Sequence, residues 1–396
     1  MLIDCKQSPT ANWIEDVRAK YPTERLVDEA LTRKMRNRNT EPYYPQNRNE
    51  VAERLTKFLA RRLPSSDFTI SDVRTLAGGS SKEQFAFTVS YGDADRAPER
   101  YVIRLQPGES IVETHRLREF QAMRAVDQIM PVPRARWIDS TGDELGQPAL
   151  ILDFADGVAR PPANGPFTPR LGFGAHYRGL LAPQFLQHFA ALAAFDWSGA
   201  DMSAFDAPAV GSTEGVIAAI NGWARVWEED AVEEYPLMRF AEQWLRQSVP
   251  PIDHVSIVHG DFRAGNFLFK PDDGRITAIL DWEMAHLGDR HEDIAFLLNP
   301  MFAEKSEEGQ QLAGGFMPQA ELLAEYERLS GLPVDPIRLR YYQVFTGWRS
   351  AIISIASATR CALGQKTHQD IRVGWISNAA PLWLRQIHQG LALEMS

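Results

Sequence analysis

The stretch Ile257-Val258-His259-Gly260-Asp261-Phe262-Arg263-Ala264-Gly265-Asn266-Phe267-Leu268-Phe269 sets an aspartate five residues before an asparagine, between apolar runs. A second stretch, Ala278-Ile279-Leu280-Asp281-Trp282-Glu283, brings another aspartate. Asp, Asn and Asp in this order suit phosphoryl transfer from a nucleotide. One carboxylate accepts the proton of an acceptor hydroxyl and aligns it. An amide oxygen and a second carboxylate hold Mg²⁺ against the phosphates, since this hard cation takes oxygen ligands and few protein ones. An Asp five residues before an Asn is common in turns, so the pair alone says little. Its weight comes from the order of the whole set and its strand–loop–strand setting. His259 reads as a loop anchor. His286 and His291 with Glu292 would suit a metal hydrolase, but no pair has the His-Glu-x-x-His spacing.

Elements must position these groups. Val51, Leu55, Leu59 and Leu63 recur every four residues with Phe58 beside them, which predicts one buried helical face in a largely helical segment to residue 66. Pro64-Ser65-Ser66-Asp67 ends it. Arg33, Lys34, Arg36 and Arg38 read as a solvated helix end. Strands are expected at Phe68–Ile70 with Val73, at Phe85–Val89, at Tyr101–Leu105 and at Ala149–Phe154, with a helix over Glu113–Val126. Residues 157–182, rich in Gly and Pro, read as a long loop. Helices are expected over 185–195, 215–228, 237–247, 319–329 and 335–358, with short strands at Ile257-Val258 and Ala278–Leu280. The texture is a small sheet-rich lobe followed by a larger helical one.

The bulk numbers are permissive. The 396 residues are 44% hydrophobic and 24% charged, which excludes a disordered chain, a collagen or a rod. The net charge of −10 disfavours a duplex nucleic-acid partner, because counterion release needs a basic surface. Cys5 and Cys361 are too few for a disulfide framework or a Cys-rich zinc site, and read as reduced thiols of a cytoplasmic protein. No run of apolar residues is long enough to predict a membrane span.

His-Gly-Asp-x-x-x-x-Asn followed by Ile-Leu-Asp-Trp-Glu resembles the aminoglycoside phosphotransferase family, relatives of choline kinases and protein kinases. Leu287-Gly288-Asp289-Arg290-His291-Glu292-Asp293 extends the match, with Arg290 where the family usually has Pro. The resemblance covers roughly residues 67–360. It implies an α+β, protein-kinase-like fold: a nucleotide-binding lobe with a small antiparallel sheet (67–155) and a mostly helical lobe (156–396) carrying the catalytic loop and acceptor site, preceded by the helical N-terminal extension (1–66) that the periodicity predicts. It implies Asp261 as catalytic base, Asn266 and Asp281 as Mg²⁺ ligands, and Asp293 and Asp289 as acids that brace the loop. Gly78, Gly79, Ser80 and Ser81 stand where the family has its phosphate loop. A hairpin turn is the plainer reading of Gly78-Gly79. Arg104 stands where this fold offers a Lys to the α and β phosphates, with Glu119 as its expected partner and Lys82 as a competitor. Arg keeps the charge but not the reach. The adenine is expected against Asp153, Phe154 and Ala155, where no side chain separates ATP from GTP.

The expected activity is therefore ATP- and Mg²⁺-dependent phosphorylation of a small-molecule hydroxyl. Trp223, Trp227, Tyr341, Tyr342, Trp348 and Arg349 are acceptor candidates by location. Glu228-Glu229-Asp230 and Glu233-Glu234 read as a solvated face. The C-terminal Leu391–Ser396 lacks the acidic, aromatic character of antibiotic-modifying members. A hydroxylated metabolite or acyl compound fits better than an aminoglycoside. The rival reading is a non-catalytic, kinase-like nucleotide-binding protein, motivated by Arg104. A protein kinase fits less well, because Asp281 leads at once to Gly288-Asp289 with no room for a long activation segment. The oligomeric state is not encoded in any motif.

Overall fold

The computed structural model describes every residue except 1, 39, 42, 77–80, 94, 162–171, 365–375 and 393–396. Four helices lead: α1 (Leu2–Gln7), α2 (Ala11–Lys20), α3 (Arg25–Asn37) and α4 (Arg48–Leu59). Thr10 and Asn47 cap α2 and α4, their side chains accepting the N–H groups of Trp13 and Asn49. These would otherwise be orphan donors. The four-residue repeat of α4 buries Val51, Leu55, Phe58 and Leu59 against the sheet. The preceding helices go elsewhere: Val17, Tyr21, Leu26 and Leu31 join the core of the large lobe. Residues 1–66 are thus divided between two cores.

The sheet is antiparallel, in the order β1 (Phe68–Thr75), β2 (Glu83–Tyr91), β3 (Glu99–Leu105), β5 (Ala149–Asp153), β4 (Ala135–Asp139), with α5 (Arg116–Val126) between β3 and β4 in the chain. The edge strand β4 carries no clear alternation in sequence and is legible only from its pairing with β5. The large lobe contains α6 (Gly174–Ala194), α7 (Glu214–Asp230), α8 (Pro236–Gln247), β6 (Val255–Val258), β7 (Phe267–Phe269), β8 (Ile276–Ile279), β9 (His286–Asp289), α9 (His291–Leu297), α10 (Gln319–Ser330) and α11 (Pro336–Ile352).

Two expected elements need correction. The loop anticipated over 157–182 is already helical from Gly174, and the helix runs through Pro183. Burial of Leu181, Phe185 and Phe189 outweighs the lost hydrogen bond of that proline. The helix expected over 335–358 is interrupted by a π turn at Ile353–Ser357. Such turns often mark functional regions. Among the described residues no helix is long and apolar enough to cross a membrane.

The largest correction concerns charge. Lys34 and Arg38 are not solvated, and neither are Glu229 and Asp230: all four are buried. Lys34 Nζ lies 2.9 Å from both Asp230 Oδ1 and Glu229 Oε2, and Arg38 Nη2 lies 2.7 Å from Asp230 Oδ1. These pairs clamp α3 to α7. Burial alone would raise the pKa of Asp230, but Lys34 and Arg38 outweigh it and hold the carboxyl at about 2. A depressed carboxyl stabilises the fold fully above its unfolded value near 3.8 and loses that contribution as pH falls towards 2. The urea-unfolding free energy is expected to drop over this window by about 2 kcal/mol from this group. In Asp230→Asn that acid-side drop should shrink. The variant should also be less stable at neutral pH by about 3–5 kcal/mol, since two buried cations lose a partner. Equal stability of the two proteins at pH 7 would contradict the clamp.

Candidate active site

The catalytic-loop candidate begins where β6 ends. His259 is fully buried, and its ring spans two segments. Its Nδ1 accepts from Asp261 N at 3.2 Å, so its Nε2 carries the proton and donates to Leu280 O at 2.9 Å. Asp293 at the start of α9 accepts the N–H groups of His259 at 2.7 Å and Gly260 at 2.8 Å. Arg349 on α11 donates to Gly260 O at 2.7 Å and pairs with Glu292. Gly260 has φ +81°, and a Cβ there would stand 2.8 Å from the Cβ of Met284, so only glycine fits. Asp289 braces a neighbouring layer, accepting from His291 and Arg338.

This scaffold presents Asp261 and Asn266 together. Asn266 Nδ2 donates to Asp261 O at 2.9 Å and to Asp261 Oδ2 at 2.5 Å. With the amide nitrogen spent, the Asn266 carbonyl oxygen is the end left for another partner. Leu280 N donates to Asn266 O at 2.8 Å, which carries the chain directly to Asp281. Asp281 is held at φ 67° and ψ 53°, a left-handed conformation rare for a residue with a side chain. Such strain persists where its surroundings enforce it, and it clusters at functional sites.

Arg104 on β3 meets this group from the other lobe. Its guanidinium lies 2.6 Å from Glu119 Oε1 and 2.9 Å from Asp281 Oδ1. Burial would lower its pKa, but Glu119, Asp281 and Glu283 outweigh that and keep it firmly charged. Lys82 takes a different place. Its Nζ is buried among Ser81 Oγ at 2.7 Å, Ser110 Oγ at 3.0 Å and Glu283 Oε2 at 3.2 Å, and burial pushes its pKa down. Arg104 rather than Lys82 therefore faces Asp281.

Asp153, Phe154 and Ala155 sit at the end of β5, where the chain crosses to pair Val158 with Phe269. Arg136 holds the Asp153 carboxylate at 2.6 Å, and the Arg100 guanidinium lies over the Phe154 ring. Gly78, Gly79 and Ser80 lie outside the described residues.

Arg263 was not anticipated. It stands two residues beyond Asp261, its Nε 2.8 Å from Asp261 Oδ1, and adds a cation next to the carboxylate. A cation at that offset from the loop aspartate is the signal that sequence reading passes over. Of the six acceptor candidates, Trp223 and Arg349 line a cavity beside the loop. Trp227, Tyr341, Tyr342 and Trp348 are core residues; Tyr341 and Trp348 spend their donors on Leu245 O and Met238 O. Asp253, Asp289 and His291 also bring ligand atoms close together, but Arg290 and Arg338 already neutralise the carboxylates.

The model of a family described as phosphotransferase enzymes matches residues 72–332. Among curated proteins, an Arabidopsis thaliana protein named as an acyl-CoA dehydrogenase is 27% identical over 308 residues, covering 72% of this chain and 36% of its own length. The Homo sapiens acyl-CoA dehydrogenase family member 11 is 23% identical over 279 residues, covering 68% of this chain and 35% of its own. The chain spans about a third of the length of these relatives. Among solved structures, a Ralstonia eutropha JMP134 protein provisionally named an aminoglycoside phosphotransferase aligns with a TM-score of 0.62 and 21% identity, over 86% of this chain and 98% of its own. A type I macrolide 2'-phosphotransferase aligns with a TM-score of 0.51 and 19% identity, over 85% and 96%. These two share the protein-kinase-like fold found here.

Proposed function

Since the chain belongs to the phosphotransferase enzyme family, we propose that it transfers the γ-phosphate of ATP to the hydroxyl of an acyl compound. One observation carries this reading. Asp261, Asn266 and Asp281 converge on one loop system while Arg104 reaches Asp281 from the opposite lobe. That is the charge arrangement phosphoryl transfer needs.

In this reading Asp261 receives the hydroxyl proton as the acceptor oxygen bonds to the γ-phosphorus and the bond to ADP breaks. Arg263 and Asn266 hold the Asp261 carboxylate by both oxygens, so its direction is set before the acceptor arrives. Arg104, oriented by Glu119, binds the nucleotide phosphates. Asp153, Phe154 and Ala155 supply backbone at the adenine end, and Ser81, whose Oγ accepts from the Lys82 ammonium, stands at the phosphate end. The oxygen donors of Asn266 and Asp281 fit a hard cation. Mg²⁺ held there would neutralise the phosphate charge.

The acceptor class rests on two further points. The curated relatives are named as acyl-CoA dehydrogenases, and the cavity beside the loop has apolar walls. A cationic aminoglycoside would want a dense acidic pocket. The acidic run at the end of α7 does not supply one, because Glu229 and Asp230 are consumed by Lys34 and Arg38. The test is ADP release with hydroxyacyl thioesters, other hydroxylated metabolites and aminoglycosides, using Asp261→Ala as the blank. Hydroxyacyl thioesters should respond. Faster turnover of an aminoglycoside would overturn the acceptor class. Silence from every acceptor and no intrinsic ATPase would favour the binding-protein reading that Arg104 motivates.

A further inference from the structure

The family match begins at residue 72, yet a cavity beside the catalytic loop is walled partly by residues before it. Thr23, Val27 and Leu31, from the turn before α3 and from α3 itself, face Trp223 and Val226 of α7 across an empty volume of about 890 Å³ that includes its mouth. The two helices are held at this spacing by the Lys34–Asp230 clamp and by the close fit of Gly222, where a Cβ would lie 3.1 Å from Thr23 Oγ1. Val27, Leu31, Ile111, Val112, Trp223 and Val226 supply its apolar lining. Lys34, Glu113 and Asp230 also line it, and Glu283, His286, Glu292 and Arg349 form the floor next to the loop.

That floor packs against the catalytic loop. Arg349 donates to Gly260 O, and Met284, which also lines the cavity, packs against Gly260, the residue before Asp261. One buried polar atom at the floor, Arg349 Nε, has no hydrogen-bond partner, and its side chain is more than nine-tenths buried. Glu283 Oε2 beside it is paired with the Lys82 ammonium at 3.2 Å. An unmet donor next to apolar lining matches an amphiphilic ligand.

We infer that α3, which lies outside the family match, forms the specificity wall of the acceptor site and seats the aliphatic chain of an acyl acceptor between itself and α7. The inference deepens the proposed function and rests on its acyl assignment. It makes Val27 a gauge of chain length, because it is half-buried and faces the cavity.

The test is binding, which does not require turnover. Calorimetry with a decanoyl thioester lacking any hydroxyl should detect association with the full chain. Val27→Phe should weaken it by at least about tenfold, since each displaced methylene is worth about fourfold. Short-chain thioesters should be affected less, so the preference shifts toward short chains. Glu29→Phe, on the exposed face of α3, should leave the profile unchanged. Thermal unfolding and ATP affinity report whether each variant is folded. If the decanoyl thioester does not bind, or binds folded Val27→Phe as well as wild type, the wall assignment is wrong. If hydroxyacyl thioesters bind with this profile but release no ADP, the wall stands and the proposed activity falls.

Discussion

Asp261→Ala is expected to lower phosphoryl transfer by about 10²–10⁴-fold, the range for losing a positioned general base, while ATP affinity stays close to wild type. The geometry makes this a clean substitution. The backbone N–H of residue 261 still reaches His259 Nδ1, and Asp293 still holds the N–H groups of His259 and Gly260. The loop therefore keeps its shape without the carboxylate. What disappears is the acceptor of two fixed hydrogen bonds, from Arg263 and Asn266. Arg263 is partly exposed and can be rehydrated, so little stability is lost. Single-turnover transfer and equilibrium ATP binding, measured on one preparation, separate the outcomes. Parallel loss of both would make Asp261 a structural residue and remove it as the base.

Asp281→Asn is expected to reduce transfer by at least about a hundredfold and to abolish the Mg²⁺ dependence of ATP binding. A metal's electrostatic contribution is worth several kcal/mol, and an amide offers one neutral oxygen in place of a carboxylate. Asparagine is the right replacement because residue 281 is left-handed, with φ 67°. Asn tolerates that region, whereas alanine would add about 1–2 kcal/mol of strain and confuse folding with ligation. The substitution has a second consequence at Arg104. Its Nη2 loses a charged partner, while Nη1 keeps Glu119. Nucleotide affinity without Mg²⁺ should therefore hold or rise slightly, since the guanidinium is freer for phosphate. The readout is ATP affinity titrated against Mg²⁺. An unchanged Mg²⁺ response would remove Asp281 from the ligand set.

Much of this site is readable in one dimension because its parts are contiguous. His259 to Asn266 is a single loop, and its residue types at fixed offsets report hydrogen bonds that close within a few positions. The strands were readable where apolar residues alternate beside turn residues, as in β2 and β3. The edge strand β4 was not, because its definition comes from pairing with β5 rather than from its own pattern. The start of α6 was hidden for the converse reason: Gly174, Gly179 and Pro183 look like breakers, and only the buried side chains of Leu181 and Phe185 show why the helix holds.

The charges mark the boundary between the two kinds of information. The sequence by itself determined which groups can do chemistry, that they lie on a short loop between strands, and that a small sheet precedes a helical lobe. It did not determine which charges are solvated. Lys34 and Asp230 are 196 residues apart, and each sits in a run that reads as a wet helix face. Periodicity reports which residues share a face, not what covers it. Only the docking of α3 on α7 decides that these charges neutralise each other in the interior. The same docking opens the cavity beside the catalytic loop, and the packing of α11 on α9 brings Arg349 onto that loop. Contacts between segments far apart in the chain depend on how whole elements pack. No local pattern encodes them, so the wall that α3 gives this cavity is legible only in the tertiary structure.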